Sequence, residues 1–431
     1  MKLYCKSTCR QARYTLFLMK VIVVGAGLAG LTCAKVLAER GAEVVVFEAS
    51  DGVGGRARTD ELSGFLLDRG FQVYFTAYPV SKRHLDHEAL DLKPFDPGAI
   101  IRRGRESSVL SDPVRDPKAL VPSLLSEAAT FPDKLRTLRL AASSVSERAE
   151  TAGELGGSDS SSLEFLRTYG FSERIIEDFY KPFYGGIFLD RSLSTSARVL
   201  RFTLKMLSTG KTALPAQGIG ELPKQLAARL PLDAVRTESP VSRLLRDGER
   251  IVGVETSAEQ HEADVVVTAT DAPTARKLTG QDAPEGSVGQ LCAYYAAEGV
   301  RSGKKIILNA EDGGFVNNAV QISTIAPLYA PHGQHLLSAV ALGGFDLSDE
   351  EIYRRGIEDV TGWYPEANLT PLAVYRVPYA QFPQPPGVHE ELPENRTGTP
   401  GLVLAGDYTE DSSINGSMLS GERAAGEVMR T

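Results

Sequence analysis

The hydrophobic positions near the start of the chain predict a βαβ unit. Residues 21–24 form an unbroken apolar, β-branched run, which is typical of a strand buried on both faces of a parallel sheet. Residues 25–30 are rich in glycine, and residues 31–40 then repeat apolar side chains at helical spacing. A second apolar run at 43–47 ends at Glu48. This order of strand, glycine turn, helix and strand is typical of a Rossmann-like dinucleotide-binding unit.

The three glycines of the turn have the spacing of the dinucleotide-binding fingerprint. Gly25 turns the chain out of the strand, Gly27 leaves room for a pyrophosphate against the backbone, and Gly30 lets helix and strand pack closely. Glu48 stands where a carboxylate can accept both hydroxyls of an adenosine ribose, and an acid there argues against the 2′-phosphate of NADP. The residues predicted to contact the dinucleotide in this unit are Gly25, Ala26, Gly27, Leu28, Ala29, Gly30, Glu48 and Ala49.

Further apolar runs predict elements that complete a sheet. Residues 235–245 and 251–255 have the pattern of paired strands, and residues 264–270 that of another strand. Residues 402–407 form an apolar strand that ends in Gly-Asp, and a helix is predicted from Ser417 onward. Helical spacing of apolar side chains recurs in three other stretches: residues 131–140, 163–180 and 196–207.

Composition and charge restrict the class of protein. The chain has 431 residues, 42% hydrophobic and 24% charged, which suits a globular protein of two joined domains. Its net charge of −8 argues against nucleic-acid binding, which requires a basic surface. Four cysteines are too few for a disulfide framework, so a reducing, cytoplasmic location is expected. No metal site is predicted, since His84 and His87 fit a charged helix surface.

The N-terminal residues 1–19 are predicted to be an extension outside the fold. They carry four basic residues and no acid, and the first strand begins only after them. A transit-like leader is the alternative that the sequence leaves open. The chain contains no apolar run of about 18 residues or more, so no membrane-spanning helix is expected.

The sequence after Glu48 resembles a specific family. Residues 48–56 read Glu-Ala-Ser-Asp-Gly-Val-Gly-Gly-Arg, and residues 64–72 continue as Gly-Phe-Leu-Leu-Asp-Arg-Gly-Phe-Gln. Both stretches are similar to the superfamily of flavin amine oxidases, protoporphyrinogen oxidases and phytoene desaturases. The resemblance implies that Gly54 and Gly55 bring backbone against FAD and that Arg56 neutralises its pyrophosphate. For Asp68 a structural role and a chemical role are both left open.

The resemblance extends to the end and the middle of the chain. It implies that Gly406 and Asp407 lie near the ribityl and pyrophosphate part of FAD. It also implies that the helix start at Ser417 and Met418 directs backbone N–H groups at the flavin, and that the backbone of Val241 faces the adenine. The stretch 402–425 contains no cysteine, so FAD is expected to be bound without a covalent link.

The resemblance also implies a domain organisation. The expected fold class is α/β, with a Rossmann-like FAD-binding domain of the two-dinucleotide-binding-domain type and an inserted α+β substrate domain. We assign residues 20–90, 211–275 and 370–431 to the FAD-binding domain. Residues 91–210 and 276–369 are then expected to form a substrate or lid domain over the flavin.

The predicted activity is that of an FAD-dependent oxidoreductase. Hydride would pass between flavin N5 and a small apolar organic substrate, isoprenoid or polyene-like, in a desaturase or isomerase type of reaction, with oxygen or a quinone as electron acceptor. Amine oxidation, protoporphyrinogen oxidation and a non-enzymatic flavin-binding role are the alternatives. Tyr375 and Tyr379 are candidate wall residues of the substrate cavity, and no catalytic base is identified. The basic amphipathic stretches 131–140 and 196–207 are either membrane-contacting lid helices or core helices with a solvated face.

Overall fold

The computed structural model describes residues 19–111, 115–116, 118, 120–311 and 313–431. The predicted extension at 1–19 therefore lies outside the described residues except for Met19. The N-terminal unit folds around a five-stranded sheet in which every neighbouring pair is parallel. Its strands, in spatial order, are β10 (Val235–Arg236), β2 (Glu43–Phe47), β1 (Lys20–Val24), β14 (Val265–Thr268) and β20 (Leu402–Leu404).

Two helices pack against each other on one face of this sheet. They are α1 (Leu28–Glu39) and α13 (Ile414–Val428). They approach so closely that a Cβ on Gly421 would lie 2.3 Å from the carbonyl oxygen of Ala29. The last helix of the chain thereby closes the fold onto the first.

The opposite face of the sheet is covered by a three-stranded antiparallel meander. Its strands are β11 (Val241–Asp247), β12 (Arg250–Thr256) and β13 (Gln260–Glu262). The prediction of one strand over 235–245 is wrong, because Val235–Arg236 joins the parallel sheet and the chain re-enters the meander only at Val241. Pro240 between them has no backbone N–H to donate, which disfavours a continuous ladder.

A seven-stranded mixed sheet forms the second structural unit. Its strands, in spatial order, are β19 (Asn368–Gln381), β15 (Val288–Glu298), β18 (Leu336–Ala341), β17 (Asn318–Gln321), β16 (Ile306–Asn309), β7 (Ala99–Arg103) and β8 (Glu106–Leu110). Strand β19 pairs with β15 along nearly its whole length. Residues 370–381 therefore belong to this sheet, although the sequence analysis assigns them to the FAD-binding domain.

Helices between β8 and residue 210 cover one side of this unit. They are α3 (Leu120–Leu125), α4 (Phe131–Val145), α5 (Ser162–Tyr169), α6 (Glu173–Ile175), α7 (Lys181–Phe188) and α8 (Ala197–Thr209). The single helix expected over 163–180 is broken, because Gly170 adopts a left-handed conformation with φ of +95° that ends α5. A π-helical turn over Ile176–Tyr180 then leads into α7.

The remaining elements join the two units. Strands β3 (Thr59–Leu62) and β4 (Phe65–Asp68) form a hairpin, and β5 (Tyr74–Phe75), β6 (Lys93–Pro94) and β9 (Thr212–Leu214) form a small sheet. The remaining helices are four short ones, α2 (Ser81–His84), α9 (Glu221–Ala227), α10 (Ala272–Thr279) and α11 (Ile322–Ile325), and the longer α12 (Asp349–Trp363).

Candidate cofactor and substrate cavity

A cavity of about 1430 Å³ is enclosed by the parallel sheet, the helices of 120–210 and the seven-stranded sheet. Pockets that hold one small ligand commonly measure roughly 300–1,000 Å³, so this cavity has room for a large cofactor and a second molecule. We call the part formed by the parallel sheet and its connections the cofactor half. The part formed by residues 95–210 and the seven-stranded sheet is the substrate half.

The glycine turn after β1 forms one wall of the cofactor half. A Cβ on Gly25 would lie 2.6 Å from the Ala269 carbonyl oxygen, and one on Gly30 would lie 2.0 Å from the Gly25 carbonyl oxygen. A Cβ on Gly27 would meet no atom within 4 Å. Packing therefore requires glycine at 25 and 30, whereas Gly27 leaves open space against the backbone, as a bound pyrophosphate would need.

The N-terminus of α1 opens onto this space. Helix α1 begins at Leu28, three residues earlier than the predicted helix, and its N-cap Gly27 offers no side-chain cap. No acidic residue stands in the first turn. The first backbone N–H groups and the positive end of the helix dipole are thus available to an anion.

Glu48 is held at the wall beside the glycine turn. One carboxylate oxygen accepts the N–H of Ala26 at 2.7 Å, and the other accepts the N–H and the Oγ–H of Ser50 at 2.9 and 2.7 Å. Glu48 and Ala49 both line the cavity. The carboxylate therefore has a fixed orientation before any ligand binds.

The second glycine pair brings another loop against the first. Gly54 donates its N–H to the Ala26 carbonyl at 2.8 Å, and Gly54 and Gly55 both have positive φ angles, +121° and +56°. Arg56 follows and forms an ion pair with Asp407 at 2.8 Å while donating to the Ala380 carbonyl at 2.8 Å. The charge of Arg56 is thus partly compensated by Asp407, and three distant segments meet at this side chain.

The C-terminal segment closes the cofactor half. A Cβ on Gly406 would lie 2.2 Å from the Tyr408 ring, so only glycine fits there. Asp407 is buried and accepts the Oγ–H of Ser412 at 2.8 Å. Ser413 caps α13 by accepting the N–H of Gly416, so this helix begins at Ile414 rather than at Ser417. Ser417 still lines the cavity, whereas Met418 is fully buried behind it.

Most predicted cofactor residues converge on this half of the cavity. Those that line it are Gly25, Gly27, Leu28, Ala29, Glu48, Ala49, Gly54, Gly55, Arg56, Val241, Gly406, Asp407 and Ser417. Ala26, Gly30 and Met418 stand directly behind the lining and shape it through backbone contacts and packing.

The two candidate tyrosines lie outside the lining. Tyr375 donates its hydroxyl to Asp60 at 2.9 Å and packs edge-on against Tyr294. The Tyr379 ring lies beneath the guanidinium of Arg56, 5.7 Å from its central carbon. The register between β15 and β19 is irregular near the C-terminal end of β19. Simple alternation along β19 therefore does not indicate which side chains face the cavity.

The substrate half has apolar and aromatic walls. The π-helical turn and α7 contribute Phe179 and Phe183, which stack at 5.1 Å between ring centroids, together with Tyr184. Helix α8 contributes Val199, Phe202 and Met206, and α4 contributes Phe131, Leu135 and Leu138. Asp96 is the acidic residue among the described lining residues of this half.

Sequence reasoning missed five carboxamides that line the cavity. They are Gln72, Gln290, Asn318, Gln381 and Gln384. Gln72 ends the stretch 64–72 that carries the family resemblance but was assigned no role, and the other four amides belong to no motif. Asp411 was also missed: it lines the cavity, accepts the N–H of Ala152 at 3.0 Å, and burial raises its pKa above the ordinary value.

Comparison with known proteins identifies the fold and the family. The sequence profile of the flavin-containing amine oxidoreductases matches residues 28–429. A 15-cis-phytoene desaturase from Synechococcus elongatus is 44% identical over 62 residues, 14% of this chain and 13% of that protein. Protoporphyrinogen oxidase 2 from Arabidopsis thaliana is 29% identical over 172 residues, 39% of this chain and 32% of that protein. These matches thus span only a minor part of the curated relatives.

A solved structure shares the whole architecture. An oxidoreductase from Methanosarcina mazei superposes with a TM-score of 0.67 at 20% identity, covering 96% of this chain and 100% of that one. At that identity the likeness establishes the fold. Because the family profile spans nearly all of the described residues, the chain belongs to the flavin-containing amine oxidoreductase family.

Proposed function

We propose that the protein is an FAD-dependent oxidoreductase that transfers hydride between an apolar organic substrate, isoprenoid or polyene-like, and flavin N5. The observation that carries this proposal is the continuity of one cavity from the glycine turn to the aromatic walls of 176–206. A dinucleotide held in the cofactor half would therefore share one enclosed space with an apolar molecule in the substrate half.

The residues of the cofactor half fit FAD. The open space at Gly27 and the uncapped start of α1 suit a pyrophosphate, and Glu48 suits a ribose. The N-terminus of α13 is a second positive helix end, and Ser412 and Ser413 at this end line the cavity. The described cysteines, Cys33 and Cys292, are buried and do not line the cavity, which supports non-covalent binding.

When bound, FAD supplies the atom that accepts or donates hydride, and the chain supplies binding, orientation and exclusion of water. The aromatic and aliphatic walls favour an apolar substrate. A cationic amine would need a carboxylate or an aromatic cage. The described lining of the substrate half contains one acidic residue, Asp96, besides its aromatic side chains, so the amine oxidase alternative is kept as the second candidate for the test below.

Contact with a membrane surface is proposed for the opening beside α4. Phe131, Leu135 and Leu138 line the cavity and are also exposed on the protein surface. We assign this contact to α4 rather than α8, because Arg198 and Arg201 of α8 form ion pairs with Glu390 and Glu147. No helix among the described residues is long and apolar enough to cross a bilayer.

Cofactor placement is tested with Gly27→Val, which adds a side chain to the open space at the turn. We expect flavin affinity to fall at least about tenfold, roughly 1.4 kcal/mol, while the apo-protein unfolds at the wild-type temperature. Gly156→Val is the matched control, since a Cβ there also meets no atom within 4 Å and Gly156 does not line the cavity. Full flavin retention by Gly27→Val would refute the placement.

Substrate class is tested by anaerobic reduction of the bound flavin, followed through its visible absorbance. Acyclic isoprenoid polyenes should bleach the flavin faster than putrescine or other primary amines. Reoxidation of the photoreduced protein by oxygen and by a soluble quinone then identifies the acceptor. Bleaching by amines alone would favour the amine oxidase alternative, and no bleaching by any donor would favour a non-enzymatic flavin-binding role.

A further inference from the structure

Two neighbouring asparagines are buried in the substrate half, where α7 meets the seven-stranded sheet. Asn317 and Asn318 are each 3% exposed, and Asn318 lines the cavity. In the sheet Asn318 is paired with Leu308 and Val340. Burying two amides among apolar neighbours costs free energy unless their hydrogen bonds are made.

The hydrogen bonds fix which way each amide points. The Asn317 side-chain NH₂ donates to the Pro182 carbonyl at 3.0 Å and to Asn318 Oδ1 at 2.9 Å. Because the Pro182 carbonyl can only accept, the NH₂ of Asn317 must face it, and Asn318 must then turn its oxygen toward Asn317. The Nδ2 group of Asn318, which has no partner among the described residues, is left to face the cavity.

Helix α7 packs against the two asparagines and has a glycine at the point of contact. A Cβ on Gly186 of α7 would lie 2.9 Å from Asn318 Oδ1 and 3.0 Å from Asn317 Nδ2. The pair also leaves Asn317 Oδ1 buried without a hydrogen bond among the described atoms. An aliphatic pair would fill this position without an unsatisfied acceptor, so packing alone does not explain the asparagines.

The free N–H donor of Asn318 favours a ligand group that can accept a hydrogen bond. Phe183, Ile187 and Ile306 line the same cavity, and their side chains cannot accept a hydrogen bond. An uncharged oxygen on the ligand can accept the N–H bond, whereas an ammonium group offers only donors. A carboxylate would require a counter-charge that the amide does not provide.

We propose that Asn318 is a specificity residue that donates a hydrogen bond to a hydroxyl or carbonyl oxygen of an otherwise apolar substrate. This inference rests on the proposed function and narrows its substrate class from apolar isoprenoid or polyene-like compounds in general to those that carry a hydroxyl or carbonyl oxygen. A site that hydrogen-bonds a substrate oxygen discriminates against the analogue that lacks it, because the site's donor is then left unpaired.

The test compares two probes on the FAD-loaded protein. One is geranylgeraniol, and the other is the hydrocarbon of the same chain in which hydrogen replaces the hydroxyl. Dissociation constants are measured through the change in flavin fluorescence. The wild-type protein should prefer the alcohol, and Asn318→Leu should reduce that preference by about three- to tenfold without weakening hydrocarbon binding.

Two further variants separate recognition from folding. Asn318→Asp keeps the size and the acceptor for Asn317 but lacks the N–H donor, so it should also lose the preference for the alcohol. Asn309→Leu is the matched control, because Asn309 is fully buried on the adjacent strand, donates to the Val316 carbonyl at 2.8 Å and does not line the cavity. It should keep the wild-type preference.

The negative results that contradict the role of Asn318 differ from those that contradict the proposed function. Equal binding of both probes by the wild type, or equal weakening of both by Asn318→Leu, would overturn the role of Asn318 and leave the apolar-substrate proposal intact. Failure of both probes to bind, while a primary amine perturbs the same flavin signal, would overturn the proposed function together with this inference.

Discussion

At the scale of single residues, Asp68 explains how the two structural units are joined. Its buried carboxylate accepts hydrogen bonds from the Thr59 hydroxyl at 2.6 Å, the Ile219 N–H at 3.0 Å and the Tyr329 hydroxyl at 2.9 Å. Its carbonyl also accepts the Tyr294 hydroxyl at 2.8 Å. Asp68 does not line the cavity, so of the two roles left open by the sequence the structure favours the structural one.

The pH dependence of stability should report on this carboxylate. Burial outweighs the hydrogen bonds and raises the pKa of Asp68 from 3.8 to about 6. The folded chain then holds a proton that the unfolded chain releases, so the contribution of Asp68 to stability is full below about pH 4 and falls by about 3 kcal/mol as pH rises to about 6. Urea unfolding of wild type and Asp68→Asn across this range measures the difference.

In that comparison Asp68→Asn should lack this component of the pH dependence. Parallel curves for the variant and the wild type would contradict the raised pKa of Asp68.

Tyr329→Phe is a complementary change that removes one donor to the buried carboxylate. It should lower the free energy of unfolding by about 1–3 kcal/mol at neutral pH, because one lone pair of Asp68 is left unsatisfied.

At the scale of elements, the crossing of α1 and α13 holds the N-terminal and C-terminal parts of the cofactor half together. Gly421 lies at the contact, whereas Gly426 on the same helix has no atom within 4 Å of a Cβ position. Gly421→Ala should destabilise the protein by about 1–3 kcal/mol, because the clash is with backbone and the helices must separate.

Gly426→Ala provides the control on the same helix. It should stabilise the protein by about 0.5–1 kcal/mol through the higher helix propensity of alanine. Thermal unfolding of both variants measures the contrast. Equal effects of the two substitutions would show that the helix crossing does not limit stability.

The boundaries of helices and strands show which features a local sequence pattern predicts and which it does not. The strands at 21–24 and 43–47 and the glycine turn were predicted correctly, because their signals are local. The start of α13 was placed three residues late, because Ser413 caps the helix through its side chain, a signal that the serine-rich stretch before it obscured. The split at 235–245 depended on a partner strand almost 190 residues earlier, which no local pattern contains.

At the scale of the whole molecule, the opening of the cavity beside α4 carries an exposed apolar stripe. Leu135 and Leu138 are 53% and 46% exposed, and Phe131 and Val145 extend the stripe along the helix. Lys134 and Arg139 lie on the same helix. This combination favours docking to an anionic bilayer, with the apolar residues inserted at the interface.

Vesicle binding tests this docking. The double change Leu135→Ser and Leu138→Ser should weaken binding to vesicles containing phosphatidylglycerol at least about tenfold, since each side chain loses roughly 1–2 kcal/mol of apolar burial. Leu232→Ser, which removes a leucine that is 92% exposed elsewhere on the surface, should leave binding unchanged. Co-sedimentation at low and high salt gives both values, and identical binding of the two variants would refute the docking face.

The local sequence pattern was enough to predict the strand, turn and helix that form one wall of the cofactor half. Strand, glycine turn, helix and terminal acid lie within about 30 residues, so their geometry follows from backbone sterics and local periodicity. The side chains that face this wall from other parts of the chain could be identified only from the folded structure. Arg56 meets Asp407 and the carbonyl of Ala380, and Asn318 lies against α7 at Gly186, where a Cβ would come within 2.9 Å of its Oδ1. Contacts between such distant segments depend on how the whole chain packs, and that information is absent from any short stretch of sequence.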